Sequence, residues 1–212
     1  MYILIIGRGY PTTKYKMNGI FEFDQAKALQ NSGNKIIYAA LDSRSIRRWR
    51  KWGVEKKRIH EIEVYAVNVP LGRIPRNLRN KVNELALRKL FQLIVKDNGL
   101  PQIIHSHFIS TGYITARVFQ DSKIPLVFTE HYSGMNQKNL SSYHMKLGSE
   151  TYPRMAKVIA VSQALADNLK DKFGITAAVA PNVVDFKKFS WQEMPRKISK
   201  NNFAFVSVGN LI

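Results

Sequence analysis

QIIHSH (Gln102–His107) and LVFTEH (Leu126–His131) decide how this chain folds. Each is a short apolar run rich in Val, Ile or Leu, without strict alternation, that ends abruptly in polar residues. Runs of this kind suit strands buried on both faces. Working outward, the same character recurs in YILIIG (Tyr2–Gly7), KIIYAA (Lys35–Ala40), VYAVNV (Val64–Val69), KVIAVS (Lys157–Ser162), AAVAPN (Ala177–Asn182) and FAFVSVG (Phe203–Gly209). Helical apolar spacing lies between many of them. Ile20–Asn31 runs into Ser32-Gly33, a helix stop; Leu78, Val82, Leu85, Ala86, Leu90, Leu93 and Ile94 form a stripe closed by Asn98-Gly99; and Gln163–Lys172 ends at Gly174, with Ser162 as its expected N-cap. Strand and helix in alternation predict a Rossmann-like, doubly wound α/β fold, its sheet mostly parallel with helices on both faces.

In such sheets ligands gather at the carboxyl ends of the strands, so the residues after each apolar run carry the functional weight. His107 and His131, the latter preceded by Glu130 and followed by Ser133, end successive strands. Two imidazoles there can hydrogen-bond sugar hydroxyls or phosphate in one crevice, or titrate near neutrality. His105 is expected to point into the packing of the sheet, because alternate residues of a strand face opposite sides. After the first strand, Thr12 takes the third glycine position of a dinucleotide fingerprint, and Pro11 and a long loop intervene. What remains is Asn18-Gly19 at a helix start, which suits either an ordinary turn and cap or a phosphate held by free backbone N–H groups.

Composition bounds the rest. The 212 residues hold 33 Lys and Arg against 15 Asp and Glu, a formal charge of +18 that favours a polyanionic partner: nucleic acid, acidic lipid or a phosphorylated substrate. There is no cysteine, which excludes disulfides and thiolate chemistry and fits a cytoplasmic location. The MYILIIG start is too short for the apolar part of a signal peptide, and no stretch approaches the roughly 20 apolar residues that cross a bilayer. The histidines lack metal-ligand spacing, and no G-x-S-x-G nucleophile elbow occurs. No metal or cofactor is expected.

Taken in order, several segments resemble the N-terminal half of a retaining glycosyltransferase of family 4, with the two-domain GT-B fold. These are GYPTTKYKMNGIFEFDQAKAL (Gly9–Leu29), IIHSHF (Ile103–Phe108), VFTEHYSG (Val127–Gly134), VIAVSQALADNL (Val158–Leu169), PNVVDFKKF (Pro181–Phe189) and VSVGNLI (Val206–Ile212). The resemblance implies an acceptor-side domain over residues 1–189, and over 190–212 a connector and the first strand of a donor-binding domain whose remainder the sequence lacks. It implies sugar transfer from a nucleotide-sugar donor to a glycan or lipid-linked acceptor, with retention of configuration and without a metal. His131 would act at the donor sugar as the catalytic residue. Asn18, Gly19, His107, Glu130 and Ser133 would bind donor phosphate or acceptor, and Asn182, Asp185, Gly209 and Asn210 would line the cleft between domains. Departures from the family pattern fall at Asn18, where the family has Gly, at Val183, where it usually has Gly after Pro-Asn, and at Asn210, where it often has an Arg that helps hold the donor diphosphate. The family's paired carboxylates belong to the second domain, so the chain alone is expected to transfer no sugar.

The stretch SRSIRRWRKWGVEKKR (Ser43–Arg58) sets Trp49 and Trp52 among Arg47, Arg48, Arg50 and Lys51. This composition suits an anionic headgroup boundary, which would place the enzyme peripherally at the inner face of the plasma membrane, or else a solvated face with its Trp residues packed locally. Surface polysaccharide or glycolipid synthesis is the expected setting. The competing readings are a sugar-nucleotide epimerase of GT-B architecture, a basic nucleic-acid-binding module and a non-enzymatic nucleotide-binding domain. Nucleic acid is not expected, because no recognition motif accompanies the charge.

Overall fold

The computed structural model describes residues 1–44, 52–71, 74–184 and 186. Eight strands form one sheet: β1 (Tyr2–Gly7), β2 (Lys35–Arg44), β3 (Gly53–Ile59), β4 (Ile62–Pro70), β5 (Ile103–His107), β6 (Leu126–Glu130), β7 (Lys157–Ala160) and β8 (Ala178–Val179). Their order is β3-β4-β2-β1-β5-β6-β7-β8. All neighbours run parallel except β3 and β4, an antiparallel hairpin at one edge. Among the described residues five α-helices cover it: α1 (Ile20–Asn31), α2 (Arg76–Asn98), α3 (Ile109–Val118), α4 (Ser142–Thr151) and α5 (Gln163–Phe173).

Strand parity distributes the core. Ile3 and Ile5 join Tyr38, Val64 and Ala66 against Phe23 and Ala26 of α1, while Leu4 and Ile6 join Ile37, Ala39 and Ile104 against α2 to α5. Both faces are therefore covered, as the continuous apolar runs require. The helix stops fall where the sequence puts them: Gly33, Gly99 and Gly174 all have positive φ, and the Ser162 hydroxyl accepts from the Leu165 amide (3.2 Å).

Four elements depart from the sequence reading. β3 (GVEKKRI) lies within what reads as a basic surface stretch; its exposed Lys56, Lys57 and Arg58 occupy the sheet edge, where charge discourages pairing with another chain. The α2 stripe is rotated, with Leu87, Leu90 and Ile94 buried and Leu78 and Leu85 about half or more exposed. α3 and α4 carry no distinct stripe in the reading, and α3 is buried almost all round. Arg47, Arg48, Trp49, Arg50, Lys51, Asp185, Gly209, Asn210, the expected strand at 203–209 and the domain boundary at 189–190 all lie outside the described residues.

Candidate functional site

From β1 the chain builds outward through β2 and β4, then returns to lay β5 on the other side of β1. The strand order thus reverses between β1 and β5, and that reversal opens a crevice at their carboxyl ends. Gly7-Arg8-Gly9 leaves β1 there, His107-Phe108 leaves β5, and His131 follows β6.

The histidines form a column. His105 and His107 are two residues apart on one strand, so they share a face, and their rings stack at 4.4 Å. His105 does point into the packing, as expected, but parity is not the reason, since it places both imidazoles on one face. His105 is buried and its Nε2 meets Thr129 Oγ1 at 2.8 Å. His107 is fully buried, so it backs the crevice instead of lining it; its Nδ1 lies 3.0 Å from His131 Nε2. His131 alone of the three reaches the rim. Burial lowers the pKa of all three, to about 4 for His105 and His131, and the nearby Arg8 charge lowers His107 and His131 further. Asn182 approaches His131 and acts in the opposite direction, yet Nδ1 of His131 has no hydrogen-bond partner. His131 is therefore neutral at pH 7 and suited to hydrogen bonding, not to delivering a proton.

Glu130 also departs from the expectation of a ligand contact. It is fully buried; the amides of His131 and Tyr132 donate to Oε1 (3.1 and 3.0 Å), and the Tyr152 hydroxyl donates to Oε2 (2.9 Å). The Ile109 amide at the start of α3 also bonds it. Desolvation nonetheless raises its pKa to about 7. Its role is to pin the His131 loop to α3 and to Tyr152. Ser133 is exposed on the short 3-10 turn that follows (Ser133–Asn136).

Gly19 caps α1 with φ +65°, and a Cβ there would lie 2.2 Å from the Gly9 carbonyl oxygen. Only glycine lets the two loop segments touch. The Asn18 side chain donates to the Tyr10 carbonyl (3.3 Å), which ties the helix start to the loop after β1. Asn18 is thus a bracing residue as well as a rim residue.

Sequence reasoning missed three contributors. The Arg8 guanidinium lies 3.2 Å from the centre of the Phe108 ring, and its Nε donates to the buried Glu22 carboxylate (3.3 Å). Phe108 itself has φ +62°, a strained conformation for a non-glycine residue. Its ring stacks on His131 at 4.8 Å, and Phe21, half exposed on the first turn of α1, stacks on the same imidazole at 6.2 Å. Motif spacing could have flagged Arg8 and Phe108, since both directly follow strand ends. Imidazole, guanidinium, helix start and two aromatic faces therefore meet at one rim. Such a rim can stack on a sugar or base, hydrogen-bond hydroxyls and hold negative charge.

A family model described as Glycosyltransferase Family 4 matches residues 23–188. Among solved structures, sucrose-phosphate synthase from Thermosynechococcus elongatus aligns over 87% of this chain and 49% of its own, with 15% identity and a TM-score of 0.64. The catalytic domain of starch synthase IV from Arabidopsis thaliana, bound to ADP and acarbose, aligns over 89% and 53%, with 13% identity and a TM-score of 0.57. Anabaena HepE in complex with UDP and glucose aligns over 88% and 46%, with 17% identity and a TM-score of 0.56. The chain thus spans about half the length of these three proteins. Likeness at such identity is likeness of fold. No curated protein matches the chain significantly by sequence.

Proposed function

Because the chain belongs to glycosyltransferase family 4, we propose that the protein moves a sugar from a nucleotide-sugar donor to a glycan or lipid-linked acceptor, with retention of configuration. One observation carries this reading: His131, flanked by Phe21 and Phe108, shares its rim with Arg8 and the α1 start at the β1/β5 reversal. In the transfer the acceptor oxygen bonds to the anomeric carbon as the bond from that carbon to the diphosphate oxygen breaks. The acceptor proton is taken up by the released nucleoside diphosphate. A neutral His131 fits the task of holding a sugar hydroxyl near the reacting carbon. Arg8 and the α1 amides at Gly19 would offset the charge that grows on the diphosphate, so transfer is expected to persist in EDTA.

The second domain would supply the donor's remaining contacts, with Asn182 and Asp185 at the connection. The chain by itself is accordingly expected to transfer no sugar. Peripheral attachment at the inner face of the plasma membrane, for surface polysaccharide or glycolipid synthesis, remains part of the proposal. Trp52 supports it, being 64% exposed at the start of the charged β3 edge. No helix of the described residues is long and apolar enough to cross a membrane.

The test is transfer by the full-length enzyme, with product anomers followed by NMR. His131→Ala is expected to lower kcat by about a hundredfold or more, the scale of losing a preorganised contact to the transition state, without altering circular dichroism. Unchanged turnover in that variant, or inverted product, removes the reading.

A further inference from the structure

Next to the His131 rim lies a cavity of about 240 Å³ that sugar transfer as described leaves unused. It sits between the carboxyl ends of β1 and β2 and the first turns of α2 and α3. Arg8 and Arg79 border it, with Ser110, Thr111 and Asn83 between them. Among the described residues no carboxylate lines it. Arg79 has no acidic partner among them, and Arg8 commits only Nε to Glu22. The Ser43 hydroxyl hydrogen-bonds Oδ1 of Asn83, which leaves that amide's N–H groups free to donate. A third guanidinium, Arg76, stacks 4.6 Å from the ring centre of Tyr143, another wall of the cavity.

Two guanidiniums, hydroxyls and amide donors, with no carboxylate in the cavity wall, match the three acceptor oxygens of a phosphate. Arg8 is shared: it borders this cavity and also lies close enough to His131 to shift its titration. The geometry points to a phosphate subsite for the acceptor, in which a phosphate or diphosphate ester sits between Arg8 and Arg79 and its sugar or lipid extends past Arg8 toward His131. This assignment rests on the glycosyltransferase reading and adds that the acceptor is phosphorylated.

The test is titration of the ¹⁵N-labelled chain with inorganic pyrophosphate, read at the arginine Nε–H signals. Comparison is made with Arg79→Ala and with Arg58→Ala, an exposed β3 residue ion-paired to Glu61. Expected are saturable shifts at Arg8 and Arg79, affinity about tenfold weaker in Arg79→Ala, and no change in Arg58→Ala. Equal affinity in all three proteins, or equal weakening in both variants, would mean attraction by net charge alone and would overturn the assignment. Glucose 6-phosphate in solution and phosphatidic acid in vesicles distinguish the sources. Arg79-dependent binding of the first assigns a soluble glycan phosphate, of the second a lipid-linked one, and of neither refutes the subsite. In the full-length enzyme, Arg79→Ala should raise KM for a phosphorylated acceptor about tenfold while leaving the donor KM unchanged. If no acceptor is glycosylated at all, the transferase reading fails while the pyrophosphate titration still decides the cavity.

Discussion

Lowering the pH from 7 to 5 should destabilise this protein through its histidine column, and the opposing contribution of Glu130 makes the effect separable. His105 and His131 bind their protons more weakly in the folded state, at about 4 against an ordinary 6.5. Their stabilising contribution is complete above pH 6.5 and is lost as pH falls toward 4. Linkage gives about 2 kcal/mol lost per histidine between pH 7 and 5, about 4 kcal/mol for both. Glu130 acts the other way, because its folded pKa is raised from 4.5 to about 7. Its contribution is complete below 4.5 and is lost as pH rises through 7, so it returns about 2 kcal/mol over the same interval. The net loss is about 2 kcal/mol, and His107, also shifted down, adds to it. Urea unfolding of the chain followed by circular dichroism at pH 5, 6 and 7 measures this. Glu130→Gln keeps the shape and removes the offset, so its stability should fall by about 2 kcal/mol more than the wild type over that range. A chain equally stable at pH 5 and 7, or a Glu130→Gln variant with wild-type pH dependence, would refute the reasoning.

Gly19→Ala should cost at least about 2 kcal/mol, because it combines a positive φ with a Cβ 2.2 Å from the Gly9 carbonyl oxygen. Calorimetry should then show Tm lower by roughly 4–8 °C. Leu87→Ala should lose about 2–5 kcal/mol in urea melts, whereas Leu85→Ala, on the same helix but 61% exposed, should stay within about 0.5 kcal/mol of wild type. Tyr152→Phe removes the hydroxyl that donates to Glu130 Oε2, so about 1–2 kcal/mol should be lost. Vesicle co-sedimentation should rise with anionic lipid content and weaken in Trp52→Ala; insensitivity to lipid charge would remove the membrane proposal.

The strands legible in the sequence are those that leave an apolar run, β1, β2 and β4 to β7, together with the short β8 inside AAVAPN. β3 escapes because an edge strand with solvent on its flanks keeps Glu55, Lys56, Lys57 and Arg58, the composition of a loop or surface segment. α3 escapes for the opposite reason: a helix enclosed by β5, α2 and α4 has no polar face to mark its period. On α2 the choice between Leu85 and Leu87 depends on the direction in which the helix crosses the sheet, which spacing does not specify. At the site, His131 and the Asn18-Gly19 turn could be located because strand ends and helix starts are readable positions. The depth of His107 and Glu130 was not readable, since a polar residue at a strand end looks the same whether it faces solvent or is sealed beneath the next loop. Arg8 and Phe108 also follow strand ends, but their mutual contact, across a hundred residues of chain, is not written in either segment.

The reversal at β1 also partitions the molecule's freedom to change. Strands β2 to β4 lie on one flank of β1 and strands β5 to β8 on the other, β1 is the seam that both share, and the chain enters the two flanks at 31–35 and 98–103. Chimaeras cut at these two junctions exchange one flank as a unit and keep the β1–β5 ladder, Ile3 with Ile103 through Ile6 with Ser106, intact. Exchange of the first flank replaces the cavity wall made by Leu41, Ser43, Arg79, Asn80 and Asn83, keeps the wall made by Ser110, Thr111, Ile114 and Tyr143, and leaves the imidazole column in place. Diversification of what is recognised can therefore proceed without redesign of the groups around the histidines.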